Sequence, residues 1–378
     1  MNPQQTTQEI LDQIKKAYST PIEDPLAKST FSQPGSAISG LNYYDLELGA
    51  KFLVPVLTPL RNEIPRVSGK GGIQANWRAI TGINTTGLRL GVSGGNRGAV
   101  MAVSTQDYIA SYKGIGLEAN VDFEAGYAAQ GFDDVRAQAG LRGLQATMLG
   151  EEAIILGGNT SSALGTTATP SLSTATTGGT LAAATWSVIC VALSFDAVIN
   201  GSVAGGIQAS ITRTNADATT DTFGGGAAQK SANATQVTTG ATSTISATVT
   251  AKQGAFGYAW FWGTAGSETL GAITSINSVL ITAAATGTQT AASLPSADNS
   301  TNNLVFDGLL TIAAKSGSGS YLATQATGTA GVGTPLTSDS AGGVVEIDTA
   351  LKWFWDNYRL SPDTIWVNSQ EALNISKK

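Results

Sequence analysis

Histidine is absent from this 378-residue chain, and cysteine occurs once, as Cys190. Without histidine there is no Ser–His or Cys–His nucleophile pair, no imidazole metal ligand and no imidazole that titrates near neutral pH. A lone cysteine forms neither an intrachain disulfide nor a thiolate zinc site. Because Cys190 lies in the apolar run WSVICVALSF, we expect an inert thiol inside a core. The sequence therefore indicates no enzyme, no cofactor and no metal.

Charged residues are also scarce, at 13% of the chain, whereas glycine is abundant, with 45 residues. This composition favours a β-rich architecture with many turns. A net charge of −6 disfavours a protein that condenses DNA or binds an anionic membrane, because both tasks need a basic surface. No segment approaches the ~20 apolar residues of a membrane helix, and MNPQQTTQEILDQIKKAY lacks the pattern of a secretory signal. We therefore expect synthesis in the cytosol and no membrane partner.

Residues 1–60 are predicted to form an arm rather than a domain. A helical pattern over 6–18 is followed by prolines at positions 21, 25 and 34, which interrupt regular structure. The segment has too little apolar surface to fold alone. It is therefore expected either to lie on another surface or to be a floppy tail.

Residues 61–112 predict a long β-hairpin. Apolar side chains alternate around Trp77 in the outgoing strand and around Tyr108 in the return strand, and a Gly- and Asn-rich tip joins them. The tip GVSGGNRG lacks the phosphate-loop pattern, so its glycines are interpreted as turn residues. A two-stranded ribbon is marginally stable in water. This hairpin therefore needs a covering surface from its own chain or from another.

The next segment, GIGLEANVDF, predicts a strand with one wet face, because apolar and polar residues alternate strictly. A helix of roughly thirty residues is expected after it, longer than the usual globular helix. Leu141, Leu144, Met148 and Ile155 lie on its apolar stripe, and Gly157–Gly158–Asn159 supplies the stop. The neighbouring acids Glu151 and Glu152 are interpreted as mostly solvated charges. A paired-carboxylate active site is disfavoured there, because neighbouring residues on a helix point about 100° apart.

The composition changes near residue 160, and Ser, Thr, Ala and Gly dominate to about residue 303. Apolar runs separated by turn sequences predict a small all-β sandwich there. In YAWFWG, alternation places Tyr258, Trp260 and Trp262 on one strand face. We expect this face to fill the sandwich core together with Trp186, because small β domains need large anchors. The alternative is a carbohydrate or cell-surface binding platform.

The C-terminal region predicts a helix over about 345–358 and a short buried-type strand, TIWVN, over 364–368. The last residues, SQEALNISKK, have the pattern of a starting helix. An α/β unit is therefore expected to continue where the sequence stops.

Three stretches resemble the major capsid proteins of tailed bacteriophages. The strongest is GIGLEANVDFEAGYAAQGFDDVRAQAGLRGLQATMLGEEAIILGGN (114–159), which resembles the family's strand and spine helix and is followed by ALGTTATP. VVEIDTALKWFWDNYRLSPDTIWVNSQEALNI (344–375) resembles the entry to the axial domain. AKQGAFGYAWFWGTAGSETL (251–270) is similar to an immunoglobulin-like insertion found in one branch of the family. The resemblance covers essentially the whole chain, through diffuse signatures rather than a catalytic motif.

The resemblance implies an α+β fold of the Hong-Kong-97 type. Its parts would be an N-terminal arm (1–60), an extended loop (61–112), a peripheral domain with the spine helix (113–165), an inserted immunoglobulin-like β domain (166–303), and the peripheral return with the start of an axial domain (304–378). The family's axial domain needs on the order of a hundred further residues, about the size of a small domain. We therefore expect either a truncated chain or a chain whose remaining part is supplied elsewhere.

The resemblance further implies a capsid protein that assembles into pentamers and hexamers of an icosahedral shell around the DNA genome, in the host bacterial cytoplasm. Its partners would be itself, portal and scaffolding or decoration proteins, and double-stranded DNA contacted non-specifically. The extended loop would contact neighbouring subunits through Trp77, Arg78, Arg89 and Arg97, and Lys70 is its sole candidate donor for a lysine–asparagine cross-link. The alternative is a surface-exposed immunoglobulin-like adhesin or carbohydrate-binding protein, which accounts for 160–303 but not for the long flanking helix.

Overall fold

The computed structural model describes residues 58–69, 71–85, 94–95, 98, 100–128, 134–215, 217–294 and 296–378. These residues form a mixed α+β protein, the class that the resemblance implies, and their sheets are antiparallel. The chain divides into two compact units, one of Met1–Thr58 with Gly116–Leu149 and one of Pro59–Ile115 with Gly150–Lys378. The predicted arm and its helix over 6–18 lie outside the described residues, apart from the last few residues of the arm.

Most of the regular elements are short. The helices are α1 (Pro59–Glu63), α2 (Phe123–Ala128), α3 (Val135–Gly157), α4 (Phe195–Ile199), α5 (Leu309–Ala314), α6 (Val345–Tyr358) and α7 (Ser369–Ser376). The strands are β1 (Gln74–Ile83), β2 (Val103–Ser111), β3 (Ser171–Ala175), β4 (Ala184–Leu193), β5 (Ser210–Thr214), β6 (Thr220–Gly224), β7 (Ala234–Thr238), β8 (Thr244–Thr248), β9 (Gly257–Gly263), β10 (Thr269–Thr274) and β11 (Ser278–Ile281). The predicted helix over 345–358 coincides with α6.

Helix α3 spans 23 residues rather than roughly thirty, and it ends at the predicted stop. Its first turn is capped by Asp134, whose carboxylate accepts two backbone N–H groups. At Gly157 a β-carbon would lie 2.1 Å from the Phe195 ring, and at Gly158 it would lie 2.4 Å from a backbone carbonyl oxygen. The two glycines therefore end the helix where no larger residue fits.

Two predicted strands are absent from the described residues. Residues 112–122 and residues 359–368 have no regular secondary structure. Ile365, Trp366 and Val367 are each about half exposed, and Leu117 is exposed as well. A strand exists only through hydrogen bonds to a neighbouring strand, and neither segment has one in this part of the chain. The apolar patterns therefore indicate segments whose side chains favour burial, but the patterns do not provide the neighbouring strand with which each segment would pair.

The inserted region is a sandwich of two sheets. One sheet has the order β10-β9-β4-β7 and the other has the order β11-β8-β3. Large side chains from β4 and β9 meet side chains from β8 and β11 between the sheets, and the core includes Val188, Cys190, Tyr258, Trp260, Trp262, Ile245, Val279 and Ile281. This core is where the sequence analysis expects it.

The four-stranded sheet is also buried on its second face. Val191, Phe261 and Leu270 pack there beneath α4 and the segments around Ile207 and Leu294. Strand β9 is consequently covered on both sides, which explains its nearly continuous apolar sequence. Alternation along β9 puts Phe261 on the face opposite to Tyr258, Trp260 and Trp262, but the sequence pattern does not predict this second core.

The strand order differs from that of an immunoglobulin constant domain. The seven sandwich strands are, in chain order, β3, β4, β7, β8, β9, β10 and β11, since β5 and β6 form a separate hairpin. The second, third, fifth and sixth of these strands share a sheet. In immunoglobulins, the first, second, fourth and fifth strands share one. The prediction of a β-sandwich is thus correct, and its strand order is not that of an immunoglobulin constant domain. Apolar runs and turns predict that strands exist, but the pairing of strands depends on long-range contacts that those patterns do not encode.

The chain enters and leaves the sandwich side by side. The Asn159 side chain donates to the backbone oxygen of Ser300 (2.9 Å), and the backbone N–H of Asn302 donates to the Asn159 oxygen (2.8 Å). Asp307 accepts the backbone N–H groups of residues 160 and 161. These bonds join the two connections into one stem.

Residues after the stem return to the sandwich. Asn277 donates to the Thr327 hydroxyl (2.9 Å), and the Gly331 N–H donates to the Ser278 hydroxyl (3.2 Å). The segment around Thr327 and Gly331 therefore lies beside β11, although the predicted domain boundary falls at residue 303.

Candidate functional site

Strands β1 and β2 form a ribbon to which no third strand is added among the described residues. Directly opposed residues of an antiparallel pair share a face, so the register divides the side chains into two sets. The aromatic face consists of Ala75, Trp77, Ala79, Ser104, Gln106, Tyr108 and Ala110. The aliphatic face consists of Asn76, Arg78, Ile80, Ile83, Val103, Thr105, Asp107 and Ile109.

The aromatic face is built around one cross-strand pair. The rings of Trp77 and Tyr108 stack at 5.8 Å with an interplanar angle of 17°. Their neighbours on this face include Ala75, Ala79 and Ala110, which are too small to cover them. Trp77 is 52% exposed. The pair stabilises the ribbon by ~0.2–1 kcal/mol and leaves a flat apolar surface open.

The aliphatic face combines branched side chains with an ion pair. The Arg78 guanidinium donates to both carboxylate oxygens of Asp107, at 2.5 and 2.9 Å. This hydrogen bonding lowers the pKa of Asp107 and raises the pKa of Arg78, so both groups stay charged and neutralise each other. Ile80 and Ile109 are 69% and 65% exposed. Half of the residues on this face are apolar, namely Ile80, Ile83, Val103 and Ile109, and the face carries no net charge.

The first strand of the ribbon is anchored at its base by α1. Glu152 accepts the backbone N–H groups of Leu60 (3.0 Å) and Arg61 (2.7 Å), and Glu151 pairs with Arg61 and Arg66. The prediction that Glu151 and Glu152 are mostly solvated is thus wrong, because a segment ninety residues away in sequence binds them. Helical periodicity identifies the polar face of α3 but not the partner of that face.

The return strand is anchored as well. Lys113 follows β2, and its ammonium group donates to the backbone oxygen of Asn303 (2.6 Å). The segments that precede β1 and follow β2 are therefore both bound by residues close in sequence to the sandwich stem.

The structure locates part of the predicted contact set. Trp77 and Arg78 lie on the ribbon, on its aromatic and aliphatic faces respectively. Lys70, Arg89 and Arg97 lie outside the described residues. The sequence analysis does not single out Ile80 and Ile109, because an apolar residue on the second face of a hairpin is noticed only when the register is known.

The aromatic residues of YAWFWG lie in the interior of the sandwich. Tyr258, Trp260 and Trp262 are at most 6% exposed, and Trp186 packs against them from a partly buried position. Each has an internal hydrogen-bond partner: Lys252 N–H for the Tyr258 hydroxyl, the Thr274 hydroxyl for Trp260, the Ala283 oxygen for Trp262 and the Thr238 hydroxyl for Trp186. The three rings on β9 are therefore too deeply buried to offer a face to a carbohydrate.

Other chemistry is sparse in the described part of the chain. Burial raises the pKa of the Cys190 thiol well above its usual value, which disfavours the reactive thiolate. No group of three or more histidine, cysteine, aspartate or glutamate residues there is arranged to hold a metal ion. None of the described helices combines the length and apolar character required to span a bilayer.

Comparisons of the chain with protein families, with curated proteins and with solved structures return no match. The uncovered ribbon is therefore the feature on which a functional assignment depends.

Proposed function

We propose that this chain is a self-assembling shell protein, the major capsid protein of a tailed bacteriophage with a Hong-Kong-97-type arrangement. The observation that carries the proposal is the ribbon of β1 and β2. Its strands are aligned by nine residue pairs, and large apolar side chains on both faces are exposed in the part of the chain that the structure describes. Such a ribbon is stable only when another surface covers it.

The order of the elements supports the same proposal. A long hairpin is followed by an extended segment, the 23-residue helix α3, an inserted sandwich and a C-terminal region whose described regular elements are helices. In capsid proteins of this type these parts correspond to the extended loop, the spine helix, an insertion and the start of the axial domain. The inserted domain here is a β-sandwich of its own strand order.

Self-association would give each copy two roles. It covers the ribbon of one neighbour and places its own ribbon on another, so the contacts repeat around closed rings such as pentamers and hexamers. Interfaces that exchange whole elements exceed the ~1,600 Å² of a standard interface. The shell would enclose double-stranded DNA through non-specific contacts and would bind portal and scaffolding or decoration proteins, within the virion.

The test is the assembly state of the purified 378-residue chain. Sedimentation velocity and negative-stain electron microscopy over a range of concentrations should show rings, tubes or shells. A chain that remains monomeric at every concentration and ionic strength, with its sandwich folded, would contradict the proposal.

A further inference from the structure

We propose that Asn200 is a site of spontaneous covalent modification, where the side-chain amide is converted to aspartate or isoaspartate through a cyclic imide. The site lies in the sandwich, at the residue that directly follows α4. The inference is independent of the proposed function, because the reaction needs only this chain and water.

The reaction is a ring closure between two neighbouring residues. The backbone nitrogen of Gly201 attacks the side-chain carbonyl carbon of Asn200 and forms a new C–N bond. The bond from that carbon to the side-chain nitrogen breaks, and ammonia leaves with the proton of the attacking nitrogen. Water then opens the imide at either of its carbonyl groups, which gives aspartate or isoaspartate. Asparagine is thermolabile in proteins, and this chemistry requires no oxidant and no cofactor.

The attacking nitrogen is the first reason to select this site. Asn200–Gly201 is the only Asn–Gly pair in the chain, and a glycine places no β-carbon beside the nitrogen that must react. The backbone N–H of Asn200 donates to the Asp196 oxygen (3.2 Å), whereas the N–H of Gly201 has no hydrogen-bond partner among the described residues. The reacting nitrogen is therefore neither crowded by a side chain nor held by a hydrogen bond.

The fold itself requires the glycine of this pair. A β-carbon on residue 201 would lie 2.7 Å from the backbone oxygen of Ala197 and 3.3 Å from the Ile273 side chain. The contact with the backbone oxygen is closer than packed atoms allow, so a larger residue would displace the turn that follows α4. The labile Asn–Gly pair is therefore a consequence of how the chain leaves this helix.

The end of α4 has the freedom and the access to water that the reaction needs. The helix has five residues, and Ser194 at its N-cap makes no capping hydrogen bond through its side chain. Short helices are marginally stable by themselves, and their end residues fray first. Ile199 is 47% exposed, and Asn200 is exposed as well. Fraying of this last turn lets the Gly201 nitrogen reach the Asn200 side chain without unfolding of the sandwich.

The product would disrupt the contact that now holds the end of α4. The Asn200 amide donates to the backbone oxygen (3.0 Å) and to the carboxylate (2.9 Å) of Asp196. Burial raises the pKa of Asp196, and the hydrogen bond from Asn200 lowers it. Conversion removes this donor and places a second carboxylate four residues away, a spacing at which like charges destabilise a helix. Because Ala197 of α4 is fully buried in the second core, the modification should loosen α4 from that core.

The experiment incubates the purified 378-residue chain in warm, mildly alkaline buffer and follows each asparagine by peptide mapping with mass spectrometry. Asn357 is the matched control within the same molecule. It is exposed, and its amide likewise donates to the backbone oxygen four residues earlier, that of Trp353 (2.9 Å), but Tyr358 follows it. We expect Asn200 to convert at least about tenfold faster than Asn357, with isoaspartate among the products.

Two variants separate the chemistry from its structural effect. Asn200→Gln should suppress the conversion, because the longer side chain closes a larger ring more slowly. Asn200→Asp reproduces one product and should lower the melting temperature of the sandwich by about 1–4 °C. Equal conversion of Asn200 and Asn357 in the folded chain, or conversion of Asn200 only in urea, would overturn the proposal. An Asn200→Asp chain that melts with the unmodified chain would overturn the inferred loosening of α4.

Discussion

Replacement of Trp260 by alanine should destabilise the sandwich strongly. The side chain is 0% exposed between the two sheets, and its indole N–H donates to the Thr274 hydroxyl (2.9 Å). Truncation of a buried tryptophan to alanine costs ~3–5 kcal/mol through lost burial and the cavity that remains. The Thr274 hydroxyl still donates to the Ile276 oxygen, so no orphaned donor adds to this cost. Trp260→Phe, which keeps most of the ring volume, should cost ~1–2 kcal/mol.

The assay is thermal unfolding of the full-length chain, followed by calorimetry and near-ultraviolet circular dichroism. For a domain of this size the loss corresponds to a melting temperature lower by about 10–20 °C. Trp366→Ala is the matched control, because that ring is 50% exposed and its truncation should change stability by only ~0.5 kcal/mol. A Trp260→Ala protein that melts within about 2 °C of the unmodified chain would refute the assignment of Trp260 to the core.

Three further predictions concern contacts inside the chain. Gly271→Ala should destabilise the sandwich by ~1–3 kcal/mol, because a β-carbon would lie 2.0 Å from the Trp262 ring. Trp262→Phe in the same chain should recover part of this loss of stability. Strictly additive losses from the two substitutions would contradict the contact. Burial raises the pKa of the Glu151 carboxyl, but hydrogen bonds from Arg61 and Arg66 outweigh this effect and lower the pKa overall. The ionised carboxylate therefore stabilises the folded chain at pH values above its ordinary pKa of 4.5. This stabilisation is lost as the pH falls through the lower pKa of the folded state. Urea unfolding of Glu151→Gln should therefore show a shallower acid limb, and an unchanged limb would be inconsistent with that pairing. The Cys190 thiol should react with a thiol reagent only after unfolding, whereas rapid reaction of the native chain would show that it is accessible.

Local patterns predict several elements of the fold well. Helix α6 has the predicted bounds, α3 ends at Gly157, and YAWFWG forms the strand β9 with its aromatic rings in the core. In each case a periodic run of apolar residues is bounded by a turn or cap signal, and the information needed lies within one short window.

Long-range pairing could not be predicted from the same patterns. The partnership of Glu151 with Arg61 and Arg66, the second core around Phe261 and the order of the sandwich strands all join segments far apart in sequence. The predicted strands at 114–123 and 364–368 fail for a related reason, since alternation records a preference for burial and a strand needs a neighbour to pair with.

The ribbon is an intermediate case. Alternation around Trp77 and Tyr108 predicts the hairpin and its need for a partner. Sequence alternation alone does not show that Ile80 and Ile109 share the second face. The strand register is needed, because a shift of one residue in the pairing of β1 with β2 would move the side chains of one strand to the opposite face.

The stem at Asn159 and Ser300 makes the sandwich an exchangeable module. The chain leaves the scaffold at Asn159 and returns at Ser300, and one hydrogen bond joins these two residues. The scaffold therefore has to span only the short distance between them, whatever domain is inserted there. A foreign domain with adjacent termini could be grafted at this point for display. Such an exchange would destabilise the segment near Gly331, because its hydrogen bond to Ser278 of β11 would be lost.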